Sequence, residues 1–385
     1  MPQGEKKPDL RFVGFADAWE QRELGEIADI IGGGTPSTQN AAYWDGNIDW
    51  YAPAEMEGMR YAIHSTRRIT EAGLNNCSAK VLPAGKTVLF TSRAGIGKVA
   101  ILQHDAATNQ GFQSLVLHDG VSVYFIFSMG DAIKKKAERI ASGSTFLEIS
   151  GKMLGSLNIS LPSQTEQGLI ADFFCHLDDL ITLHQRKHDT LVKAKKALLE
   201  RMFPRDGETY PDVRFAGFAD AWEQRKVKDV APLQRGFDLP REKMEVGPYP
   251  VVMSNGICNY HSEFMVKGPG VITGRSGTIG HVHYVDINFW PHNTSLWVKN
   301  FCGNDPLFIY YIYQVVRLEK YQSGSGVPTL NRNDVHDTSI AIPSVQEEQK
   351  IASLFRNLDT LITLQQRKVN KLKKLKKACF EKMFV

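Results

Sequence analysis

The chain contains two nearly identical segments 203 residues apart, and this repetition constrains its architecture more than any other feature. Residues 11–22 return as residues 214–225 with one change in twelve positions. A second pair follows, because residues 177–187 return, slightly altered, 181 positions later. Solenoid repeats have periods of about 20–50 residues. The period here is much longer, so we infer that a whole domain and its connector have been duplicated.

The stretches between the repeated segments match only weakly and differ in length. Trp19 to Pro162 spans 143 residues, whereas Trp222 to Pro343 spans 121. Loops and binding surfaces accept insertions more readily than packed elements. Two constant frames around two divergent inserts predict two similarly folded modules that recognise different things.

Composition bounds the class of protein. The chain has 385 residues, 42% of them hydrophobic, which fits two or three globular domains. The net charge is only +4, but residues 365–385 hold eight Lys and Arg against one Glu, and residues 186–205 hold seven against two acids. Basic blocks at equivalent places in a repeat favour a polyanionic partner, although either block alone also fits a solvated helix face.

Cysteine usage and hydropathy predict a cytoplasmic protein. The five cysteines show no C-x-x-C spacing and do not recur between the copies, so we expect neither a disulfide framework nor a zinc site. We identify no signal peptide, and no apolar run reaches the ~18 residues of a membrane helix. We therefore expect no membrane association.

One long helix is predicted after Pro162 and a second after Pro343. Apolar residues recur with alternating spacings of four and three from Ile170 to Met202, and again from Ile351 to Met383. This heptad rhythm is typical of coiled coils, and helices of 33–40 residues would be roughly 50–60 Å long. Matching seams in one chain, joined by a short linker at 205–210, predict that the two helices pair antiparallel.

Polar residues interrupt both seams near the middle. His184 and His188 stand in the first seam and Gln365 in the second. Histidines at i and i+4 could form a metal or pH-sensitive site. The favoured interpretation is that polar seam residues set the register of the pair.

The divergent stretches, residues 23–160 and 226–342, are predicted to be mixed α/β globules. Short β-type runs are broken by Gly, Pro and Asn, and a helix is expected near 122–140 and near 306–321. The predicted strands include Thr87–Phe90, Val99–Leu102, 114–117, 270–273 and Ser295–Val298.

Three weak echoes link these stretches: residues 91–97 with 273–280, 109–115 with 293–296, and 142–145 with 323–326. Ser92 and Val99 break the spacing of a phosphate-binding loop, so we do not predict nucleotide binding. A tight Gly turn that exposes Arg93 or Arg275 suits contact with DNA phosphate or guanine. A structural hairpin with a solvated arginine fits the same pattern equally well.

Catalytic signatures are missing from the sequence. We find no H-E-x-x-H, no G-x-S-x-G and no Asx-Pro-Pro-aromatic segment of an amino-methyltransferase. The chain is therefore predicted to be non-catalytic and to bind no cofactor.

Taken in order, the repeated motifs resemble the specificity subunit of type I restriction–modification systems over essentially the whole chain. The motifs are the opening segments at 15–22 and 218–225, the strand-turn at 88–101, the segments 161–170 and 342–351, and the Lys-rich helix ends closing at Phe203 and Phe384. One small departure is that Glu347 looks like an extra residue ahead of Glu348 in the second copy.

The resemblance implies an α+β fold with an internal pseudo-two-fold repeat, in which an antiparallel coiled coil separates two target-recognition domains. The implied boundaries are 1–160 and 205–342 for the recognition domains, and 161–204 and 343–385 for the helical spacers. It also implies double-stranded DNA as a ligand, two methyltransferase subunits and restriction/translocase subunits as partners, and a methyl donor bound by the partner.

Turn chemistry and equivalent placement predict the residues that contact DNA. The loop at 33–37 is a further candidate, and the individual predictions are Arg93, Lys98, Gln113, Ser144 and Thr145 in the first copy and Arg275, His281, Ser325, Asn331 and Arg332 in the second. The competing hypothesis is a coiled-coil adaptor whose two globular ends bind proteins. The adaptor hypothesis predicts no salt-dependent affinity for DNA. A third hypothesis, a self-contained DNA-modifying enzyme, would require catalytic turnover without partner subunits.

Overall fold

The computed structural model describes residues 7–142, 147–323 and 326–384. These residues form two compact units. The first contains the residues up to Leu183 together with those from Val369 onward, and the second contains His184–Lys368. Each unit thus combines one divergent stretch with part of each long helix.

The first unit is built mainly from short strands. In chain order its elements are β1 (Glu20–Glu23), α1 (Leu24–Ile27), β2 (Ala28–Gly32), β3 (Trp44–Tyr51), β4 (Tyr61–Ala62), β5 (Arg67–Ile69), α2 (Glu71–Asn75), β6 (Thr87–Phe90), β7 (Val99–Leu102), β8 (Ala106–Thr108), β9 (Gln113–Leu117), α3 (Val123–Ser128), α4 (Gly130–Ile140), α5 (Gly151–Gly155), β10 (Asn158–Leu161) and the start of α6 (Gln164–Arg201). The strands form a five-stranded sheet of order β2-β9-β6-β7-β4, a three-stranded sheet of order β5-β3-β8 and an antiparallel β1–β10 ribbon.

The second unit repeats this plan. Its elements are β11 (Glu223–Lys226), α7 (Val227–Val230), β12 (Leu233–Arg235), β13 (Tyr249–Met253), β14 (Gly256–His261), β15 (Gly270–Gly274), β16 (Val282–Val285), β17 (Trp290–Pro291), β18 (Ser295–Val298), α8 (Pro306–Val315), β19 (Gln322–Ser323), β20 (Thr329–Leu330), α9 (Arg332–His336), β21 (Ser339–Ile342) and the start of α10 (Val345–Met383). The main sheets have orders β12-β18-β15-β16 and β14-β13-β17, and β11 pairs with β21.

The two units share topology down to the direction of individual strand pairs. β3 pairs parallel with β8, and its counterpart β13 pairs parallel with β17. The one difference in the main sheet is β4, which the four-stranded sheet lacks among its described residues. The mixed α/β prediction and the strands predicted from the sequence are confirmed.

The repeated opening segments pack against the ends of the long helices. The Trp19 ring lies 5.9 Å from Phe125 and 6.2 Å from Phe384, which follows the end of α10. The Trp222 ring lies 6.1 Å from Phe203, which follows the end of α6. Both indoles are almost completely buried, so this identical part of the repeat is a core element.

A buried ion pair fixes each opening segment to the start of a long helix. Arg11 donates from Nε and Nη2 to the two Glu166 oxygens at 2.9 and 2.7 Å. Arg214 contacts Glu347 in the same bidentate way, at 2.7 and 2.8 Å. Glu347 is therefore the counterpart of Glu166, and the expectation that it is an extra residue is wrong. The real change is that Glu348 replaces Gln167.

The helices α6 and α10 run antiparallel within each unit, which confirms the coiled-coil prediction. In the second unit Lys195 contacts Asp359 at 2.6 Å, and His184 Nδ1 lies 2.7 Å from Gln365 Oε1. In the first unit Lys376 contacts Asp178 at 2.6 Å. The polar seam residue His184 thus bonds across the pair, as the register interpretation expects.

None of the described helices is both long and apolar enough to cross a bilayer.

The seam lysines belong to a recurring trio of side chains. Tyr124 of α3 donates to Asp178, which also accepts from Lys376. In the other unit Tyr311 of α8 donates to Asp359, which also accepts from Lys195. Both tyrosine bonds measure 2.8 Å. The trio explains why a lysine is tolerated in an otherwise apolar seam.

Candidate nucleic-acid interface

In each unit the chain leaving the first strand of the main sheet crosses closely over a neighbouring loop. A Cβ on Gly33 would lie 2.0 Å from the carbonyl oxygen of Asn109. A Cβ on Gly236, after β12, would lie 2.2 Å from the carbonyl oxygen of His292. Only glycine permits such an approach. The same backbone crossing is therefore built twice.

Polar side chains meet just beyond each crossing. The Thr35 hydroxyl hydrogen-bonds the Gln110 carboxamide, and the Asp238 carboxylate accepts from the Asn293 carboxamide. Thr35 belongs to the predicted loop at 33–37. Gln110 and Asn293 lie in the echoed segments 109–115 and 293–296 but were not predicted as contacts, and Asp238 was missed. The two residues of each pair are 75 and 55 positions apart along the chain, so the pairing itself has no local signal.

A glycine-rich hairpin carries the predicted arginines. Thr91 Oγ1 donates to the Gly95 carbonyl at 2.6 Å and accepts from the Lys98 amide at 2.9 Å. Thr273 Oγ1 holds the counterpart by donating to the His281 carbonyl at 3.0 Å. Gly95 has φ +102°, a left-handed conformation that favours glycine. Both hairpins therefore have defined backbones.

Backbone hydrogen bonds join this hairpin to the crossing in each unit. The Ser92 amide donates to the Gly111 carbonyl at 2.8 Å, and the Arg275 amide donates to the Thr294 carbonyl at 2.8 Å. A further segment joins as well, because the Leu330 amide donates to Arg275 and the Ile149 amide to Ser92. The first two echoes found in the sequence are thus joined in each unit, whereas residues 143–145 and 324–325 of the third echo lie outside the described residues.

In the first unit the predicted side chains have different environments. Arg93 is half-buried and has no acceptor among the described residues, so its guanidinium is available. Lys98 is paired with Glu57 at 2.6 Å. Gln113 lies in β9, with its carboxamide against Gly32 and Gly151. Ser144 and Thr145 lie outside the described residues.

In the second unit Arg275 is oriented by the neighbouring loop of the crossing, since its Nε donates to the Asn293 carbonyl at 3.0 Å. His281 and Arg332 are exposed. Asn331 caps α9 by accepting the Asn333 amide at 3.1 Å, so its carboxamide oxygen is already engaged. Ser325 lies outside the described residues.

This arrangement offers the groups that read nucleic acids. Arginine forms bidentate bonds with guanine, Asn and Gln with adenine, and carboxylates accept from cytosine. The two surfaces carry different examples: Thr35 and Gln110 on one, Asp238 and Asn293 on the other. A shared backbone with different tips suits the recognition of two different half-sites.

Sequence comparison adds an independent observation. The family model for the type I restriction modification DNA specificity domain matches residues 16–193 and 219–374, one match per repeat. The chain belongs to this family. A specificity subunit of the type I restriction enzyme MjaIX from Methanocaldococcus jannaschii is 29% identical over 400 residues, covering 95% of this chain and 92% of that one. The EcoR124I/EcoR124II specificity subunit of Escherichia coli is 30% identical over 169 residues, covering 42% of this chain and 41% of that one.

Solved structures within the specificity family share the fold at low sequence identity. The type I restriction-modification S subunit from M. genitalium matches with a TM-score of 0.70 at 15% identity and covers 99% of both chains. A structure described as the basis of complex assembly and conformational transition of the type I R-M system matches with a TM-score of 0.53 at 14% identity, covering 95% of this chain and 97% of that one. Both matches therefore extend over the two units of this chain.

Proposed function

We propose that the chain is the DNA sequence-specificity subunit of a type I restriction–modification complex and reads a bipartite target, one half-site per unit. The observation that carries this proposal is the duplicated surface: the same crossing and hairpin bear different polar side chains in the two units. Two surfaces that share a backbone but differ in these polar side chains would recognise two different short sequences. The chain itself is non-catalytic, and a partner subunit binds the methyl donor.

Exposed apolar residues on the helices support the docking of partner subunits. Leu180 and Leu183 are 43% and 46% exposed, and their counterparts Leu361 and Leu364 are 44% and 45% exposed. Exposed leucines at equivalent positions of the two repeats are candidates for a protein-interaction face. Because the face occurs once per repeat, we propose two methyltransferase subunits. Restriction/translocase subunits would then join that core.

The proposal is tested by mapping methylated adenines in DNA from cells that express this chain with its neighbouring methyltransferase subunit. The control is the same cells without this chain. We expect a new motif of two short blocks separated by a fixed unread gap. If the complex assembles and the methylation pattern does not change, the protein-binding adaptor becomes the better interpretation.

The hairpin arginines give a sharper test. Arg93→Ala should weaken methylation or relax base choice at one half-site only, and Arg275→Ala at the other, by about 5–150-fold. Arg139→Ala, an exposed arginine on α4, is the matched control and should leave both half-sites unchanged. Methylation rates on duplexes with either half-site altered provide the measurement, and unchanged rates for both hairpin variants would remove these residues from the interface.

A further inference from the structure

In the first unit the short strand β4 completes the edge of the main sheet. β4 pairs parallel with β7, opposite Ile101 and Leu102. The Ile101 amide donates to the Arg60 carbonyl at 2.9 Å, and the Gln103 amide donates to the Ala62 carbonyl at 3.0 Å. This segment therefore satisfies the outward-facing amides of β7.

The side chains of the same segment fill the space between the sheet and α6. Arg60 Nη2 donates to Asp179 at 2.5 Å, and Tyr61 Oη lies 3.9 Å from Cys175 Sγ. The Arg60 guanidinium also stacks 4.6 Å from the centre of the Tyr61 ring. Backbone pairing and an ion pair to the helix thus hold β4 in place.

The described part of the second unit has no strand in this position. Residues 52–66 separate β3 from β5, whereas β13 turns at residues 254–255 directly into its partner β14. β16, the counterpart of β7, is consequently the outermost strand of its sheet as far as the chain is described. An open strand edge is a template for pairing with another extended chain.

A groove of about 760 Å³ occupies the place that β4 fills in the first unit. It is lined by Ile257 of β14, Tyr284 of β16 and Tyr311 of α8 on one side. The α10 side contributes Arg356 and Thr360, which stand at the repeat positions of Cys175 and Asp179. The residues that surround Arg60 and Tyr61 in one unit thus have counterparts around an open groove in the other.

A buried polar atom also faces this region without a partner. His283 of β16 lines the groove, and its ring hydrogen-bonds the Ser254 backbone, but its Nε2 is buried with no hydrogen-bond partner among the described residues. Unsatisfied buried polar atoms are rare in folded proteins because each costs free energy. A chain seated in the groove could supply the missing partner.

We propose that this groove is a docking slot for an extended acidic segment of a partner polypeptide, added in parallel to β16 as β4 is added to β7. The charges of the groove wall differ between the copies. In the first unit the helix offers Asp179 to Arg60, whereas in the second Thr360 stands at that position and Arg356, which is 60% exposed, stands one turn before it. Two carboxylates also line the groove, but both are already paired, Asp286 with Arg356 at 3.7 Å and Asp359 with Lys195 at 2.6 Å. Arg367 lines the same groove and has no ion pair among the described residues. We therefore expect the occupant to place a carboxylate near Arg356 and Arg367.

The slot is tested on the full chain with a peptide probe. The probe is residues 58–64 of this chain with Arg60→Glu, and a photo-cross-linking amino acid replaces Ile257. We expect labelling of the chain by the peptide at Ile257. A cross-linker at Ile63 is the matched control, because both isoleucines are 50% exposed and the slot beside Ile63 is already filled. Equal labelling at Ile257 and Ile63 would show that the groove is not a docking slot.

A charge exchange tests the chemistry of the occupant. The glutamate peptide should label the unaltered slot about twofold to fivefold better than the arginine peptide, as expected for a partly exposed ion pair. Arg356→Glu should reverse that order without abolishing labelling, since the strand edge remains. If labelling does not depend on the charge at position 60 of the peptide or at position 356 of the chain, the proposal of an acidic occupant is wrong.

Only the source of the segment rests on the proposed function. In the assembled complex, the cross-linker at Ile257 should capture an acidic extended segment of the methyltransferase subunit. Capture of DNA or of a second copy of this chain would contradict the proposal. Methylation by the same sample reports separately on sequence recognition, so the two ideas can fail independently.

Discussion

Glu348 is a carboxylate in a position built for an amide. Its counterpart Gln167 accepts from the Ser122 amide at 3.0 Å and donates to the Pro162 carbonyl at 2.9 Å. Glu348 accepts from the Asp305 amide at 2.7 Å, but its Oε1 is buried without a partner among the described residues. Burial raises the pKa of Glu348 to about 7. The folded protein is therefore more stable when the Glu348 carboxyl group is protonated.

Glu348→Gln should make the protein more stable at high pH. The native state retains the Glu348 proton up to about pH 7, whereas the unfolded chain releases it near 4.5. The stability that this proton provides is complete below pH 4.5 and is lost as pH rises through 7. The variant should thus match the parent in acid and exceed it by about 3 kcal/mol above pH 7. Urea unfolding at pH 5 and pH 8 measures the difference.

The reciprocal change is the control. Gln167→Glu places the same carboxyl group in the first unit, where the amide now donates to the Pro162 carbonyl. Its unfolding midpoint should fall with rising pH across the same range, while that of Glu348→Gln should fall less than the parent's. Parallel pH curves for all three proteins would show that Glu348 is ionised in the fold.

The seam of the helix pair depends on single polar contacts as well as on apolar packing. Lys195→Ala should destabilise the second unit by about 1.5–3 kcal/mol, because it removes a charged hydrogen bond to Asp359 at 2.6 Å. The Lys195 side chain is 16% exposed and that of Asp359 is 36% exposed, so solvent screens this pair only in part. Helical circular dichroism followed through urea unfolding gives the change.

Lys193→Ala on the exposed side of the same helix is the matched control. This substitution removes the same positive charge and should lower the free energy of unfolding by less than about 0.5 kcal/mol. Similar losses for both lysines would mean that general charge, and not the trio with Tyr311, holds the helices together.

The helices could be predicted from the sequence because their signal is local. Heptad spacing from Ile170 to Met202 requires only neighbouring turns, and the structure has α6 over Gln164–Arg201. The trio could not be predicted in the same way. Asp359 and Lys195 are 164 residues apart, and nothing near Lys195 indicates its partner.

The candidate interface was predicted only in part, for a similar reason. Gly-rich turns are visible locally, so the hairpins of Arg93 and Arg275 were identified from the sequence. The crossing of Gly33 over Asn109 depends on two strands, β2 and β9, that pair across the sheet. A single sequence does not specify which strands pair, and Gln110 and Asp238 were missed.

At the scale of the assembled molecule, the proposed function predicts steep salt dependence. Contacts from two surfaces to six or more phosphates would lower DNA affinity by about 10³-fold or more between 50 and 200 mM salt. Fluorescence anisotropy of a duplex carrying the mapped target, bound by the complex, gives the slope. A duplex with one half-site scrambled should bind more weakly at every salt concentration, and an affinity indifferent to salt would favour the protein-binding adaptor.

The shared helices also set the order in which the units can mature on the ribosome. Cys379 and Met383 belong to the core that surrounds Trp19, and Phe384 packs on the same indole. These residues emerge only after the entire second unit, His184–Lys368, has been made. At ~5–20 residues per second, the first unit waits roughly 10–40 s for its last core residues. The unit that begins first is completed last, so a nascent chain that stalls late leaves Trp19 and its neighbours uncovered.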